Sequence, residues 1–187
     1  MIAPKLIVLS APSGSGKTTI ARAIMKLHKD FVFSISATTR KKRTSEMDGK
    51  DYYFLSKSDF EKKISENAFI EYENIYGDYY GSLKSQIDNA IINGHSIIFD
   101  IDVKGALQIK KFYKDKAILI FIVPPNINVL KLRLQRRNTE EEEKLQKRLA
   151  RVPMEMKMQN EFDYIVHNDD LQRAIQETEK IILTHIN

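Results

Sequence analysis

Cysteine is absent from the 187-residue chain, which excludes a disulfide scaffold, a Cys-ligated zinc or iron–sulfur centre and a thiol nucleophile. Histidine is scarce, and His28, His95, His167 and His185 fall at no metal-ligand spacing. No apolar run approaches the roughly 18 residues that span a membrane. The first residues lead directly into a strand-like segment, without a cationic or signal-like stretch. Internal repeats and low-complexity tracts are missing too. These absences, with an ordinary apolar content of 42%, lead to the expectation of a cytoplasmic enzyme built on one core, with room for inserted subdomains. The net charge of +5 admits two readings, a nucleic-acid surface or clustered Arg and Lys for small phosphorylated ligands. The motif-like surroundings of the basic clusters favour the second, so no nucleic acid, membrane or protein partner is expected.

What is present is organised around residues 5–19. An apolar run, Leu6 to Leu9, fits a buried parallel strand. It flows through Ser10, Ala11, Pro12, Ser13, Gly14, Ser15 and Gly16 into Lys17, Thr18 and Thr19, after which Ile20, Ala23, Ile24 and Leu27 recur at helical spacing. Strand, Gly-rich turn and helix in that order form the context of a phosphate-binding loop. Gly14 and Gly16 let backbone N–H groups turn inward around an anion, and the helix N-terminus adds its dipole. Lys17 can reach the outer phosphates of a nucleoside triphosphate and the Thr18 hydroxyl can hold Mg²⁺. Ala11 stands where such loops usually have their first Gly.

Further along, residues 31–36 alternate large and small side chains and read as a strand. A basic stretch with Arg40 and Arg43 follows, then Asp48-Gly49, which suggests a hairpin. That stretch is either a solvated loop or a pair of bidentate forks for a phosphate, with Tyr52 adding a hydroxyl; local chemistry leaves both open. Ser58 or Asp59 is expected to cap a helix. With short strands around Phe69 to Tyr72 and turn signals at residues 76–82, residues 34–84 read as a small mixed insertion. A helix over residues 85–93 ends at Gly94, and residues 96–102 form a buried strand that ends in Asp100 and Asp102. At least one of these carboxylates is expected to serve function, since a strand-end Asp in phosphate-loop proteins helps hold Mg²⁺; the alternative is a cap on the next helix.

A third parallel-type strand over residues 117–123 stops at Pro124-Pro125. Arg133 and Arg137 then lie four apart, with Arg148 and Arg151 one helix later. Such a charged arm is either a solvent-facing helix pair or a mobile lid over a triphosphate site. A short strand at residues 164–166 and a terminal helix capped within residues 168–170 complete the chain. Strands alternating with helices give an α/β, doubly wound parallel sheet.

With these residues assembled, the chain resembles the guanylate kinases, which pass a phosphoryl group from ATP to GMP. The resemblance covers nearly the whole length. It rests on residues 11–18, 36–43, 46–52, 69–71, 79–82 and 100–102, and on Arg133, Arg137, residues 147–149, Ile165 and residues 168–170. It implies a P-loop α/β/α core (residues 1–33, 85–126 and 153–187), a GMP-binding insertion (34–84) and a helical lid (127–152). ATP and GMP are the implied substrates, with dGMP a further candidate, and Mg²⁺ the implied cofactor, held by Thr18 and Asp100. By position Ser36, Glu71, Asp100 and Asp102 resemble the guanine-reading groups. Arg40, Arg43, Tyr52 and Tyr80 resemble the clamp on the GMP phosphate, and Glu46, Gly81 and Ser82 lie within the same substrate-binding motifs. Lys17, Arg133, Arg137 and Arg148 resemble the catalytic cations, and Asn168 lies where the family contacts adenine. Ala11, Ala37 and Asn138 depart from common family residues without removing a charge. Guanylate-kinase-like scaffold domains, which bind proteins, typically lose the loop lysine and lid arginines, and here those residues are kept.

Overall fold

The computed structural model describes residues 4–44, 46–136 and 142–186. In chain order the strands and helices are β1 (Leu6–Ser10), α1 (Lys17–Leu27), β2 (Val32–Phe33), β3 (Ala37–Thr38), β4 (Tyr53–Phe54), α2 (Lys57–Ser65), β5 (Phe69–Ile75), β6 (Asp78–Leu83) and α3 (Lys84–Ile92). They continue with β7 (Ile97–Asp100), α4 (Val103–Tyr113), β8 (Ala117–Val123), α5 (Ile127–Arg136), α6 (Glu142–Lys157), β9 (Tyr164–His167) and α7 (Leu171–Ile186). Among the described residues no helix is long and apolar enough to cross a membrane.

Five strands form one parallel sheet in the order β2-β7-β1-β8-β9. Its central strands are apolar on both sides because helices cover both faces. Leu6, Val8, Phe99, Leu119 and Phe121 pack toward α3 and α4 through Ile87, Ala90, Ala106 and Ile109. Ile7, Leu9, Ile98, Ile120 and Ile122 pack the other way, on Ile20 and Ile24 of α1 and Ala174, Ile175 and Ile182 of α7. The result is the expected three-layer α/β/α core. The register sets Leu9 beside Asp100, so the loop after β1 and the carboxylate ending β7 emerge together at one sheet edge. In open α/β sheets ligands bind at such carboxyl ends.

A second sheet, in the order β4-β3-β6-β5, belongs to the insertion. Its small core is Ala37, Phe60 and Phe69, with Phe60 stacked between Phe69 (4.3 Å between centroids) and Tyr79 (5.2 Å). Three local expectations are corrected here. Residues 31–36 do not make one strand: β2 joins the parallel sheet, β3 joins the small one, and residues 34–36 cross between them. The Gln86 amide clips this crossing by accepting from Ile35 N (2.9 Å) and donating to Ile35 O (2.6 Å). Asp48-Gly49 does form a tight turn, with Gly49 at φ 70, yet β3 and β4 run parallel, so it closes no hairpin. The cap of α2 is Ser56, whose hydroxyl accepts from Asp59 N, and neither Ser58 nor Asp59 takes that role.

Other local readings hold. Gly94 follows α3 in the left-handed region at φ 72, and Asp170 caps α7 by accepting from Arg173 N (2.8 Å). α6 runs through Pro153, which removes a backbone donor from the helix interior.

Phe60 is fully buried and holds the small sheet against α2. Phe60→Ala is expected to cost about 3–5 kcal/mol, read as a fall in the denaturant midpoint with an unchanged slope. A midpoint within error of wild type would contradict a packed insertion core.

Candidate functional site

The loop between β1 and α1 takes its shape from Gly14 and Gly16, at φ 88 and 93, where an L side chain is strained. Behind it the buried Asn168 amide donates to Ser15 O (2.6 Å), and a side chain on Gly16 would strike that amide. Lys17 opens α1, and its ammonium donates to Ile101 O (2.8 Å) and pairs with Asp100 Oδ1 (3.1 Å). The Thr18 hydroxyl donates to the other oxygen, Asp100 Oδ2. One carboxylate therefore holds both of these side chains at the start of α1. Arg148 Nη1 donates to Ser13 Oγ (3.0 Å) and Arg133 Nη1 reaches Gly14 O (3.4 Å), so both helices of the arm touch the loop. Thr19 is exposed on the first turn of α1. Arg137 and Asn138 lie outside the described residues.

Across the cleft, Glu46 accepts from both Arg40 nitrogens (3.0 and 2.7 Å) and from Arg43 N (2.8 Å). Burial works against this charge, but the Arg40 hydrogen bond and the Arg43 N–H outweigh it and hold the Glu46 carboxyl below its ordinary range. Glu46 thus braces the two arginines and is not among the residues lining the cleft, which include Arg40, Arg43, Tyr52 and Tyr80. Arg40 lies 5.3 Å over the Tyr52 ring, and Tyr52 meets Tyr80 edge-on. Burial, with the Asp100 charge behind it, pushes the Tyr52 hydroxyl up to about 12, so it remains a donor at neutral pH.

Glu71, Ser36 and Asp102 line the same cleft. Glu71 is buried on β5, and its Oε1 accepts from Ser82 Oγ on the paired strand (2.6 Å). Ser82 therefore orients Glu71 from behind and does not line the cleft. Gly81 does, and its bare Cα permits close strand pairing: a Cβ there would lie 2.9 Å from Phe69 and 3.0 Å from Glu71 O. Asp102 takes the capping role that was left open for this pair, since Oδ1 accepts from Lys104 N and Gly105 N at the start of α4. Its side chain still borders the cleft. Asp100, by contrast, meets Lys17 and Thr18. Asn168, buried behind the loop, is likewise absent from the lining.

Sequence reasoning placed Arg151 on the charged arm but missed the groups around it, among them Glu73, Tyr76, Lys104 and Glu155. Arg151 pairs with Glu73 of β5 (3.5 Å) and Glu155 of α6 (3.2 Å) and lies over the Tyr76 ring. Lys104 of α4 pairs with the same Glu73 oxygen (3.0 Å), and Tyr76 OH donates to Lys147 O. This network joins core, insertion and arm. Burial pulls the Arg151 guanidinium down, yet Glu73 and Glu155 more than offset that, while burial raises Glu155 itself. Residues 148, 151 and 155 share one helix face at spacings of three and four. That spacing was a readable signal for Glu155, and the pairing with Glu73 was not.

Thr18 and Asp100 set a hydroxyl and a carboxylate side by side, the oxygen donors Mg²⁺ takes when phosphates and waters fill its other positions. No group of three or more His, Cys, Asp or Glu among the described residues could hold a metal by itself.

This arrangement meets close parallels. The family model for guanylate kinase matches residues 3–185. The guanylate kinase of Chlorobaculum tepidum is 50% identical over 171 residues, covering 91% of this chain and 88% of that protein. That of Bacteroides thetaiotaomicron is 43% identical over 184 residues, covering 98% and 90%. The crystal structure of guanylate kinase from Anaplasma phagocytophilum aligns over all of this chain and 88% of that one, with TM-score 0.81 and 27% identity.

Glu71 sets a pH dependence of stability. Burial raises its pKa from 4.5 to about 7; the Ser82 hydrogen bond works against the rise and the Asp102 charge adds to it. The unfolded chain loses this proton near 4.5 and the folded chain near 7, so the group favours folding most at low pH and that contribution is lost as pH rises through 7. Glu71→Gln removes the titration. The Tm of the variant relative to wild type is expected to climb between about pH 5 and 8. A constant difference would contradict a carboxyl buried in this way.

Proposed function

Because the chain belongs to the guanylate kinase family, we propose that the cleft just described holds GMP between Glu71 and Arg40 and holds ATP on the Lys17 loop. The reaction is that of the family: the γ-phosphoryl group of ATP passes to GMP, giving ADP and GDP. The observation that carries the residue assignment is that Glu71, Arg40, Tyr80, Lys17 and Arg148 all line one cavity.

The attacking atom is a phosphate oxygen of GMP, ionised at neutral pH, so no general base is needed. The protein's contribution is alignment and counter-charge. Arg40 and Arg43 grip the acceptor phosphate, with Tyr52 and Tyr80 adding hydroxyl donors. Lys17 leaves Asp100 for the outer phosphates of ATP. Arg148 and Arg133, already against the loop, supply positive charge where the transferred group becomes most negative. We assign Mg²⁺ to Thr18 and Asp100, whose hydroxyl and carboxylate oxygens would hold it; the ion would supply positive charge against the phosphates. Residues 34–84 would close as the acceptor-binding part and residues 127–152 as the lid, excluding water that could otherwise take the phosphoryl group. Arg137 and Asn168 keep the roles the resemblance implies, cation and adenine contact, although the Asn168 side chain is taken up in propping the loop from behind. dGMP is a second acceptor under this reading, and the cytoplasm is the assigned location.

Guanine presents N1–H and the 2-amino group along one edge, and a carboxylate accepts from both. Adenine offers an acceptor at N1 and no 2-amino group, so lone pairs would face Glu71. Such a mismatch in a buried site discriminates by roughly 10⁴-fold.

A coupled assay with ATP and each of GMP, AMP, CMP and dTMP tests the substrate, with GMP expected to dominate kcat/KM. Lys17→Met should stay folded by circular dichroism and lose on the order of 10²-fold or more in turnover; near-wild-type turnover would remove the loop from the mechanism. Glu71→Gln should raise KM for GMP far more than KM for ATP and narrow the gap between GMP and AMP. Unchanged kcat/KM for GMP would mean that another residue reads the base.

A further inference from the structure

We infer that Gly105 is a positioning residue for base recognition: the side chain it lacks leaves the space that the Glu71 carboxylate occupies. Gly105 sits in the first turn of α4, buried, with its N–H donating to the Asp102 cap (3.2 Å). Its backbone is not in the left-handed region, unlike that of Gly14 or Gly16, so conformational freedom is not what this position needs. The need is steric. A Cβ on Gly105 would stand 2.6 Å from Glu71 Oε2 and 3.0 Å from Glu71 Cδ, with Ile101 Cδ1 at 3.4 Å. Contacts of 2.6 Å are not tolerated, so something must move.

The carboxylate is what can give way. The helix is held by its cap and by Ala106 and Ile109 in the core, and alanine is a better helix former than glycine. Glu71 is the far end of a flexible side chain, fastened at Oε1 by Ser82 (2.6 Å) while Oε2 faces Gly105. Pushing Oε2 away twists or withdraws the carboxylate, and both of its oxygens are needed to meet two adjacent donors. The inference rests on the reading of Glu71 as the guanine acceptor. It adds that α4, a core helix outside the insertion, sets where that acceptor stands.

The test is a double-mutant cycle of Gly105→Ala and Glu71→Ala, with KM for GMP, KM for ATP and kcat measured on the full chain. Gly105→Ala is expected to keep its circular dichroism, raise KM for GMP roughly tenfold or more, leave KM for ATP within about twofold, and narrow the preference for GMP over AMP. In the Glu71→Ala background, where the space is empty, adding Gly105→Ala should change KM for GMP by less than about twofold. An equal cost in both backgrounds would make Gly105 an ordinary packing residue and overturn the inference. Loss of the fold in Gly105→Ala would overturn it as well, since the helix and not Glu71 would then be what yields. Wild-type KM for GMP in Gly105→Ala beside a raised value in Glu71→Ala removes the role of Gly105 and leaves Glu71 in place. A wild-type value in Glu71→Ala removes both.

Discussion

Two phosphates of like charge must approach within bonding distance, and the cations that make this tolerable repel one another in the same cleft. Both repulsions have to be met before substrate arrives. The protein meets the second with carboxylates set beside cations: Asp100 on Lys17, Glu46 on Arg40 and Arg43, Glu73 and Glu155 on Arg151. Each carboxylate is partly or fully removed from solvent, where its attraction is screened less than at the surface. A charge taken out of water without such a partner would cost several kcal/mol. Much of the polar architecture is therefore a bracing of positive charge, and only a fraction of it faces ligand.

The fold supplies that bracing from separate places. Register within the parallel sheet sets Asp100 beside the loop that carries Lys17 and Thr18. A tight turn and a parallel strand pair bring Glu46 and Tyr52 to Arg40, with the aromatic rings forming the floor under the guanidinium. Asp102 serves two elements at once, capping α4 while its charge adds to the rise that burial gives the neighbouring Glu71 and Glu73 carboxyls. The cleft therefore carries acidic groups at Glu71 and Asp102 and basic groups at Arg40 and Arg43, a polarity that under the proposed function would orient a nucleoside monophosphate along it.

What could be read in the sequence was whatever is encoded locally. The loop after β1, the apolar run of β8 and the periodic face of α7 all came out where spacing put them, because neighbouring residues decide them. The stop of β2 at Phe33 and the crossing of residues 34–36 to a second sheet did not, since β2 and β3 each pair with a strand far along the chain. Glu46, Ser82 and Asn168 were noticed as motif members, yet what they touch depends on folding: Asn168 meets Ser15 across 153 positions. Asp102 was legible as either cap or functional group, and it does the first while bordering the cleft. Arg151 was grouped with Arg148 by spacing, but a carboxylate on β5 draws it into a different partnership.

The clip between Gln86 and Ile35 bears on how the small sheet is mounted. The chain enters that sheet through residues 34–36, pinned at both backbone polar groups of Ile35 by a side chain of α3. It leaves through Leu83, the last residue of β6, which is followed at once by Lys84, the first of α3. Both passages are therefore fastened to a single helix, itself buried against the parallel sheet through Ile87 and Ala90. The small sheet is thus mounted on α3 at both of its ends, and Lys104 of α4 holds its outer strand β5 through Glu73, so a disturbance of α3 would be felt where the chain enters the sheet and where it leaves.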